Sequence, residues 1–283
     1  MAKISVIGMC GMSIFMKVDH FHQSGETLIA DDIFFEVGGK GINQAIAASR
    51  MGEKVSFLTA VGDDSYGKEC MEVARQNGLN ATFAIKENKK TAIAYILTDK
   101  DGNNQVTEFM GAVLDVSDVM KFEEEISDSD ILLLQQEIPN EVNKKAIEIA
   151  KKYGVKVILN PAPPRKIDNE IVNEVYIITP NEQEARFIDS ERFRNIVTTL
   201  GANGCMINGK TIIDALTVDA VDTTGAGDTF NGVLASWIAE GESLENSARY
   251  AIVASGISVT RNNVLNAIPY RKEILKGVQN NEK

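Results

Sequence analysis

The sequence predicts an α/β fold in which a mostly parallel sheet is covered by helices and carries a small β lid. Short apolar segments alternate with helical patterns along most of the 283 residues, which is typical of such a sheet. A glycine directly follows four of the helical segments, where glycine commonly ends a helix. Two further stretches break the alternation and have the character of extended strands.

The alternating segments give the expected boundaries of the elements. Strands are predicted over residues 4–8, 55–60, 131–134, 156–160 and 176–179. Helices are predicted over residues 41–51, 67–77, 140–153, 226–240 and 243–259, the first four of them followed by Gly52, Gly78, Gly154 and Gly241.

The two stretches outside this alternation cover about residues 12–36 and 91–110. In the second stretch, Asp101-Gly102 predicts a hairpin turn between two strands. Strands inserted into an α/β domain commonly form a small sheet beside a ligand site. Because no linker, repeat or low-complexity tract separates them from the rest, we expect residues 1–283 to form one domain with the lid as an excursion.

The charge and composition of the chain exclude several classes of partner. A net charge of −11 and a pI near 4.8 argue against nucleic acid, whose phosphates are bound by clustered Lys and Arg. No apolar segment reaches the length of a membrane span. We therefore expect a small-molecule ligand.

The cysteines and the N-terminal segment predict a cytoplasmic protein. Cys10, Cys70 and Cys205 lie far apart and follow no metal-binding spacing, so we expect buried packing residues in a reducing compartment. The apolar run over residues 4–16 is interrupted by small residues and lacks the cleavage site of a secretory signal. Its beginning is better explained as a buried strand.

Residues 222–228 (DTTGAGD) carry the strongest chemical signal. Gly225, Ala226 and Gly227 have almost no side chain and begin a helix, so their backbone N–H groups can converge on an anion. A carboxylate beside such a cradle suits phosphoryl transfer, in which Asp228 would accept the proton of the attacking hydroxyl. The alternative is a glycine-rich turn in which Asp228 only begins the helix.

A second glycine-rich segment covers residues 37–45 (VGGKGINQA) and also leads into a helix. Its small residues allow a ligand to approach the backbone, and Lys40 and Asn43 could hydrogen-bond ligand hydroxyls. A tight strand-to-helix turn with closely packed alanines explains the same segment equally well.

Residues 204–211 (GCMINGKT) formally match the phosphate-binding loop pattern G-x-x-x-x-G-K-[ST]. A working loop of this kind must follow a strand and open a helix. Here Asn208-Gly209 predicts a hairpin turn, and residues 211–218 predict a further strand. We therefore attribute the match to chance.

Four segments together resemble the ribokinase-like (PfkB) carbohydrate kinases. They are GGKGxNQA at residues 38–45, NPAP at 160–163, TPNExEA at 179–185 and DTxGAGDTF at 222–230. They occur in the family's order over nearly the whole chain. The resemblance implies a Rossmann-like three-layer α/β/α domain with a β lid, and ATP with Mg²⁺ as the phosphoryl donor.

The resemblance also assigns roles around the expected phosphoryl acceptor. Asp228 matches the family's general base, and Gly225, Ala226 and Gly227 match its anion hole. Taken alone, Glu137 is equally well explained as a surface acid. The positions that match the family's substrate-binding residues are Ser13, Gly38, Gly39, Lys40, Asn43 and Glu137.

Roles on the nucleotide side follow from the same resemblance. Asn181 and Glu184 resemble the pair that organises Mg²⁺ and the ATP phosphates, often through water, which suits a hard, hydrated cation. Asp222 and the Thr224 carbonyl are candidate ligands of a monovalent cation such as K⁺. The segment that resembles the lining of the nucleotide phosphates contains Thr199, Gly201 and Gly204.

Three departures from the family pattern weaken parts of this assignment. Ser13 stands where the family commonly has an Asp that binds sugar hydroxyls. Losing the charge-assisted hydrogen bond of that Asp costs about 1.5–3 kcal/mol of binding free energy, which weakens free ribose as the expected substrate. Residues 186–204 and 206–221, beside the expected adenine site, are shorter than usual. Residues 261–266 replace a Gly- and Ser-containing loop that helps to hold the monovalent cation, so K⁺ dependence is weakly supported.

The sequence therefore predicts an ATP-dependent kinase that transfers the γ-phosphoryl group to a hydroxyl of a small sugar. A nucleoside kinase of the same fold is an alternative, with Phe15, Phe21 and Phe34 as a platform for the base, although core packing explains these residues equally well. A sugar-binding pseudokinase is a second alternative. A phosphorylated sugar, bound near the lysines of the lid, is a further candidate substrate. Exposed lid edges would allow a homodimer.

Overall fold

The computed structural model describes residues 1–281. Its strands are β1 (Lys3–Ile7), β2 (Gly11–Lys17), β3 (Asp32–Gly38), β4 (Lys54–Gly62), β5 (Asn80–Lys86), β6 (Ala92–Thr98), β7 (Asn104–Phe109), β8 (Ile131–Gln135), β9 (Lys156–Asn160), β10 (Val175–Ile178), β11 (Val197–Thr199), β12 (Cys205–Ile207) and β13 (Thr211–Ile213). Its α-helices are α1 (Lys40–Arg50), α2 (Ser65–Gln76), α3 (Val116–Lys121), α4 (Glu123–Ser127), α5 (Asn140–Tyr153), α6 (Ala226–Ala239), α7 (Leu244–Ser258) and α8 (Arg271–Asn281).

The largest sheet consists of six parallel strands in the order β10-β9-β8-β1-β4-β5. In its middle, Ile4 of β1 lies opposite Val55 of β4 and Ile131 of β8. Every residue of β8 is buried, as expected for a parallel strand with helices on both faces. The five strands predicted over residues 4–8, 55–60, 131–134, 156–160 and 176–179 all belong to this sheet.

Helices cover both faces of this sheet. Val6 packs in one core with Ile46 of α1 and Leu234 of α6. The next residue, Ile7, packs in the other core with Ile147 of α5, because side chains alternate between the faces of a strand. The predicted three-layer α/β/α fold is therefore confirmed.

The predicted helix boundaries agree with the structure to within two residues. The glycines expected to end the first four of these helices have φ values of 91° at Gly52, 72° at Gly78, 75° at Gly154 and 91° at Gly241. A side chain is strained in this left-handed region, which explains why glycine stands at each of these ends.

The two excursions pair with each other in a four-stranded sheet of order β3-β2-β6-β7, which we call the lid. β2 runs parallel to β6, and both outer pairs are antiparallel. The turn between β6 and β7 covers residues 99–103, and Gly102 within it has a φ of 82°. One face of the lid, with Ser13, Phe15 and Ile96, lines a cavity beside the main sheet.

A three-stranded antiparallel sheet, β11-β12-β13, follows the main sheet in sequence. Isolated parallel bridges join Ile178 to Ile196 and Asn181 to Thr199, so this sheet continues the main sheet beyond β10. The continuation brings the segment after β11 next to the carboxyl ends of the parallel strands, where ligands bind in open α/β sheets.

The turn between β12 and β13 tests two predictions from the sequence, namely the chance phosphate-loop match and the strand over residues 211–218. Asn208 and Gly209 have φ values of 52° and 66°, so they form a turn between antiparallel strands. The strand β13, and not a helix, directly follows this turn, so the phosphate-loop pattern at residues 204–211 is a chance match. The strand predicted over residues 211–218 is wrong beyond Ile213, where β13 ends.

Cys10, Cys70 and Cys205 are buried and form no disulfide, in agreement with a packing role. Within residues 1–281, no helix combines the length and the apolar character needed to cross a membrane.

Candidate active site

The loop that leads into α6 separates two cavities. Thr224, Gly225 and Asp228 line a cavity of about 210 Å³ beneath the lid, which we call the lid cavity. Ala226 and Gly227 line a cleft of about 560 Å³ that also borders α7, which we call the α7 cleft. One short segment, residues 224–228, therefore contributes to the walls of both cavities.

Asp228 lies in the first turn of α6 and is only 7% exposed. Its Oδ1 accepts a hydrogen bond from Gln44 Nε2 at 3.0 Å, and its Oδ2 accepts one from Asn43 Nδ2 at 3.0 Å. Both donors come from α1, which packs against α6 through Gly232 and Ala47. The N-terminus of a helix also favours a negative charge, so the carboxylate is held in one orientation.

A network of buried amides supports Gln44. Gln135 Nε2 donates to Gln44 Oε1 at 2.8 Å, and Gln44 Nε2 also donates to Asn160 Oδ1 at 3.2 Å. Asn160 Nδ2 in turn donates to the Thr179 carbonyl at 3.1 Å. Gln135 and Asn160 end β8 and β9, so the carboxyl ends of the main-sheet strands carry this network towards Asp228.

Gly225 requires glycine for two reasons. Its φ is 74°, and a Cβ placed on it would lie 2.4 Å from Val264 Cγ1. A side chain would therefore be strained and would displace the loop after α7. Gly227 differs, because a Cβ there would meet no atom within 4 Å among the described residues.

The N–H groups proposed for an anion hole are not equally free. Ala226 N–H donates to the Thr223 carbonyl at 3.3 Å. The N–H groups of Gly225 and Gly227 make no hydrogen bond to residues 1–281. Gly227 therefore offers an unoccupied donor next to the α7 cleft, as expected at the N-terminus of a helix.

The structure brings the predicted substrate residues together. The lining of the lid cavity includes every one of them: Ser13, Gly38, Gly39, Lys40, Asn43 and Glu137. Asn43 is buried, and its Oδ1 has no hydrogen-bond partner within residues 1–281 although its Nδ2 binds Asp228. An unpaired buried acceptor of this kind is satisfied when a ligand donates to it.

Glu137 and Lys40 face each other in the lid cavity. Glu137 Oε2 accepts a hydrogen bond from the backbone N–H of Lys40 at 2.8 Å. Burial raises the pKa of Glu137 to about 8, against the opposing charge of Lys40. Burial lowers the pKa of Lys40, but the carboxylates of Asp228 and Glu137 outweigh it and leave that pKa above its usual value. The Glu137 side chain is thus fixed at the wall of the lid cavity, and the Lys40 side chain lines the same cavity.

The α7 cleft contains most of the residues predicted on the nucleotide side. Asn181, Thr199, Gly201 and Gly204 all line it. The other lining residues are mainly small or apolar, including Ala215, Leu216, Val218, Ala220, Phe230, Ile252 and Val259. The shortened region over residues 186–221 therefore still leaves a cleft with apolar walls.

Glu184 does not line the α7 cleft itself. Its Oε2 accepts the backbone N–H of Asn181 at 2.8 Å, and its Oε1 accepts Asn181 Nδ2 at 2.9 Å. Asn181 Oδ1 accepts the N–H groups of Gln183 and Glu184 in return. Burial raises the pKa of Glu184, opposed by the Asn181 hydrogen bond and the charge of Lys40. The pair therefore fixes the turn after β10.

The candidate monovalent-cation ligands, Asp222 and the Thr224 carbonyl, belong to the loop that precedes α6. Asp222 Oδ1 accepts the backbone N–H of Thr224 at 2.9 Å. Both residues border a third cavity together with Asn262 and Asn263. Among residues 1–281, no three acidic, His or Cys side chains cluster as a metal-binding group.

Sequence reasoning missed three acidic or amide residues in this region. Gln44 lies in a motif that pointed to its neighbour Asn43, and its contact with Asp228 depends on the packing of α1 against α6. Glu36 and Glu108 line the lid cavity from β3 and β7. Only the register of the lid strands brings these two residues to the site, so no local pattern could reveal them.

Comparison with known proteins identifies the family of this chain. The family model described as "pfkB family carbohydrate kinase" matches residues 1–271. A ribokinase of Haemophilus influenzae is 35% identical over an alignment of 297 residues, gaps included. The alignment covers 96% of this chain and 97% of that protein.

Two solved structures show the same architecture. A ribokinase of Thermotoga maritima superimposes with a TM-score of 0.88 and 33% identity, covering 99% of this chain and 100% of that one. A ribokinase of Arabidopsis thaliana, solved with ribose and ATP, has a TM-score of 0.86 and 27% identity over 98% of this chain and 99% of that one. The chain belongs to the PfkB family of carbohydrate kinases.

Proposed function

We propose that this kinase transfers the γ-phosphoryl group of ATP to a hydroxyl of a small sugar of the ribose type, with Asp228 as the general base. The sugar occupies the lid cavity, and the nucleotide occupies the α7 cleft. Relatives named as ribokinases, one of them solved with ribose and ATP, support this choice of substrates.

One observation supports the proposal most strongly: the loop before α6 and the first turn of that helix together form a wall of both cavities. Asp228 faces the lid cavity, and Gly227 faces the α7 cleft one residue earlier. A hydroxyl bound on one side and a terminal phosphate bound on the other would meet at this loop. Such positioning supplies most of the catalysis in phosphoryl transfer.

The residues of the loop perform two tasks in the reaction. Asp228 accepts the proton of the acceptor hydroxyl, while the hydroxyl oxygen forms a bond to the γ-phosphorus. The bond between that phosphorus and the oxygen bridging to the β-phosphate breaks, and ADP leaves. The free N–H groups of Gly225 and Gly227 stabilise the negative charge that develops on the transferred group.

Mg²⁺ is the cation expected with ATP, and Asn181 and Glu184 are the residues proposed to organise it. Their oxygen atoms suit a hard cation, but each already accepts a hydrogen bond within the turn after β10. We therefore propose contact through the waters of a hydrated ion. When bound, the ion would neutralise charge on the phosphates.

A nucleoside kinase is the second candidate. Phe15 and Phe34 lie on the cavity side of the lid with ring centroids 6.2 Å apart, and Phe15 lines the lid cavity. These rings could stack on a base. The volume of about 210 Å³ favours a single sugar over a complete nucleoside.

A screen of ATP consumption with free sugars, sugar phosphates and nucleosides tests the proposal, with a reaction lacking any acceptor as the control. We expect the highest kcat/KM with a free pentose or a related polyol. A nucleoside that is turned over faster than every sugar would replace the proposal with the second candidate. Binding of a sugar without any binding or hydrolysis of ATP would indicate a pseudokinase.

We also propose that the chain forms a homodimer through the lid. The face of the lid directed away from the lid cavity exposes Ile33, Phe35, Tyr95 and Phe109. Exposed apolar side chains on an open sheet favour association. The mass measured by light scattering, with Phe35→Ser as the variant expected to be monomeric, tests this assembly.

A further inference from the structure

The lid presents one row of four paired residues to the lid cavity. Glu36, Ser13, Ala94 and Glu108 occupy the same register position on β3, β2, β6 and β7. Side chains at one register position point to the same face of a sheet, and all four residues line the lid cavity. This acidic row therefore has two short side chains at its centre and a carboxylate at each end.

The two carboxylates of the acidic row differ in what they already bind. Glu36 is buried, and its oxygens accept the backbone N–H groups of Val264 at 2.9 Å and Leu265 at 3.0 Å. Glu108 is exposed at the cavity and takes part in no hydrogen bond or ion pair within residues 1–281. Glu36 thus holds the loop after α7, whereas Glu108 is available to a ligand.

A second group in the same cavity points to the kind of ligand. Asn43 is 6% exposed, and its Oδ1 lacks a donor within residues 1–281. The buried Asn43 oxygen requires a donor, and sugar hydroxyls can donate both to it and to the Glu108 carboxylate. Ser13 and Ala94 are short, so they leave space between the cavity centre and Glu108.

The charges around the cavity restrict the ligand further. Lys40 is the only basic side chain in its lining within the described part of the chain. Its charge already interacts with the carboxylate of Asp228. A phosphate group on the sugar would therefore lie among carboxylates without a cation to pair with it, and this repulsion disfavours phosphorylated sugars.

We propose that Glu108 binds a hydroxyl of the sugar and gives the lid cavity its preference for unphosphorylated sugars. This inference rests on the proposed kinase function. Glu108, at the end of the acidic row opposite Glu36, would determine specificity. It would supply the charged acceptor that is absent at Ser13.

The test compares the KM for ribose with the inhibition constant of ribose 1-phosphate, whose phosphate is remote from the primary hydroxyl. Glu108→Ala should raise the KM for ribose about tenfold and lower the inhibition constant of ribose 1-phosphate. Glu108→Gln keeps a hydrogen-bonding group without charge, so it should raise the KM less and lower the inhibition constant similarly. Thr107→Ala, on the opposite face of β7, should leave both constants within about twofold.

The outcomes distinguish the role of Glu108 from the kinase function itself. Turnover of ribose by the wild type with both constants unchanged in the Glu108 variants would overturn the role of Glu108 and leave the kinase assignment intact. A raised KM with an unchanged inhibition constant would overturn the charge-based preference. Absence of turnover with every sugar would instead contradict the proposed function itself.

Discussion

The lid cavity and the α7 cleft lie on two sides of one loop but are built differently. In the lid cavity, polar side chains hold one another: Asn43 and Gln44 donate to Asp228, and the N–H of Lys40 donates to Glu137. The α7 cleft is shaped mainly by small and apolar residues, and its polar turn is fixed by Asn181.

This difference predicts how the two sides respond to substitution. A buried polar network loses much of its function when one member is removed, because the remaining groups are left unpaired. An apolar wall spreads its contribution over many side chains, so that each one matters little. Substitutions should therefore have large effects beside the lid cavity and small effects in the α7 cleft.

The largest effect is expected at Asp228. Asp228→Asn keeps the size of the side chain but removes the proton acceptor, and loss of a general base lowers kcat by about 10² to 10⁴. A coupled assay of ADP formation with ribose measures the change. Asp219→Asn, at an exposed residue shortly before the same loop and outside the linings of the three cavities, is the matched control and should retain most of the activity. A kcat for Asp228→Asn close to that of the wild type would contradict the role of Asp228.

Gln44 should give the next largest effect. Gln44→Ala removes one of the two donors to Asp228, and it takes away the hydrogen bonds of Asn160 Oδ1 and Gln135 Nε2. We expect kcat to fall about tenfold, with a smaller change in the KM for ATP. The exposed Gln76→Ala on α2 controls for a general effect of losing an amide. An unchanged kcat would show that the network does not position the base.

The buried Glu137 should make stability depend on pH. Burial raises its pKa from 4.5 to about 8, so the folded state binds the proton more tightly than the unfolded state. The resulting stabilisation is complete below about pH 4.5 and is lost as the pH rises through about 8.

Glu137→Gln lacks this titration. The melting temperature of the wild type relative to this variant should therefore fall by several degrees between about pH 5 and about pH 9. Glu87→Gln, at an exposed turn, should show the pH profile of the wild type. Parallel profiles for the wild type and Glu137→Gln would contradict the raised pKa.

The smallest effect is expected in the α7 cleft. Leu216→Ala removes one of many apolar side chains that line the proposed nucleotide site. The KM for ATP should therefore rise only about threefold while the KM for ribose stays constant. Steady-state kinetics with either substrate varied measures both constants. A loss of activity as large as that of Gln44→Ala would remove the distinction between the two cavities.

Much of the fold could be predicted because its signals are local. The apolar strands of the main sheet and the glycines that end four helices follow from short patterns, and their boundaries agree with the structure. The strand predicted beyond Ile213 was wrong, because the segment leaves the sheet to line the α7 cleft. A strand-like composition does not reveal where pairing stops.

The candidate site was predictable only where a motif marks it. The glycine-rich segments pointed to Asp228, Lys40 and Asn43, which the structure brings to one cavity. Glu36 and Glu108 reach that cavity through the register of four strands, which depends on pairing between segments far apart in the chain. Such residues become visible only when the fold is known.

The central claim is that Asp228 acts on the acceptor hydroxyl and is not merely a structural start of α6. Calorimetric titration of Asp228→Asn with ribose and, separately, with ATP tests it most directly. We predict affinities within a few-fold of the wild type despite the loss of turnover. The new amide can still accept from Gln44, and the Asn43 amide can turn so that its unpaired Oδ1 accepts from the new NH2 group. Loss of binding of both ligands in parallel with turnover would contradict the claim and assign Asp228 a structural role.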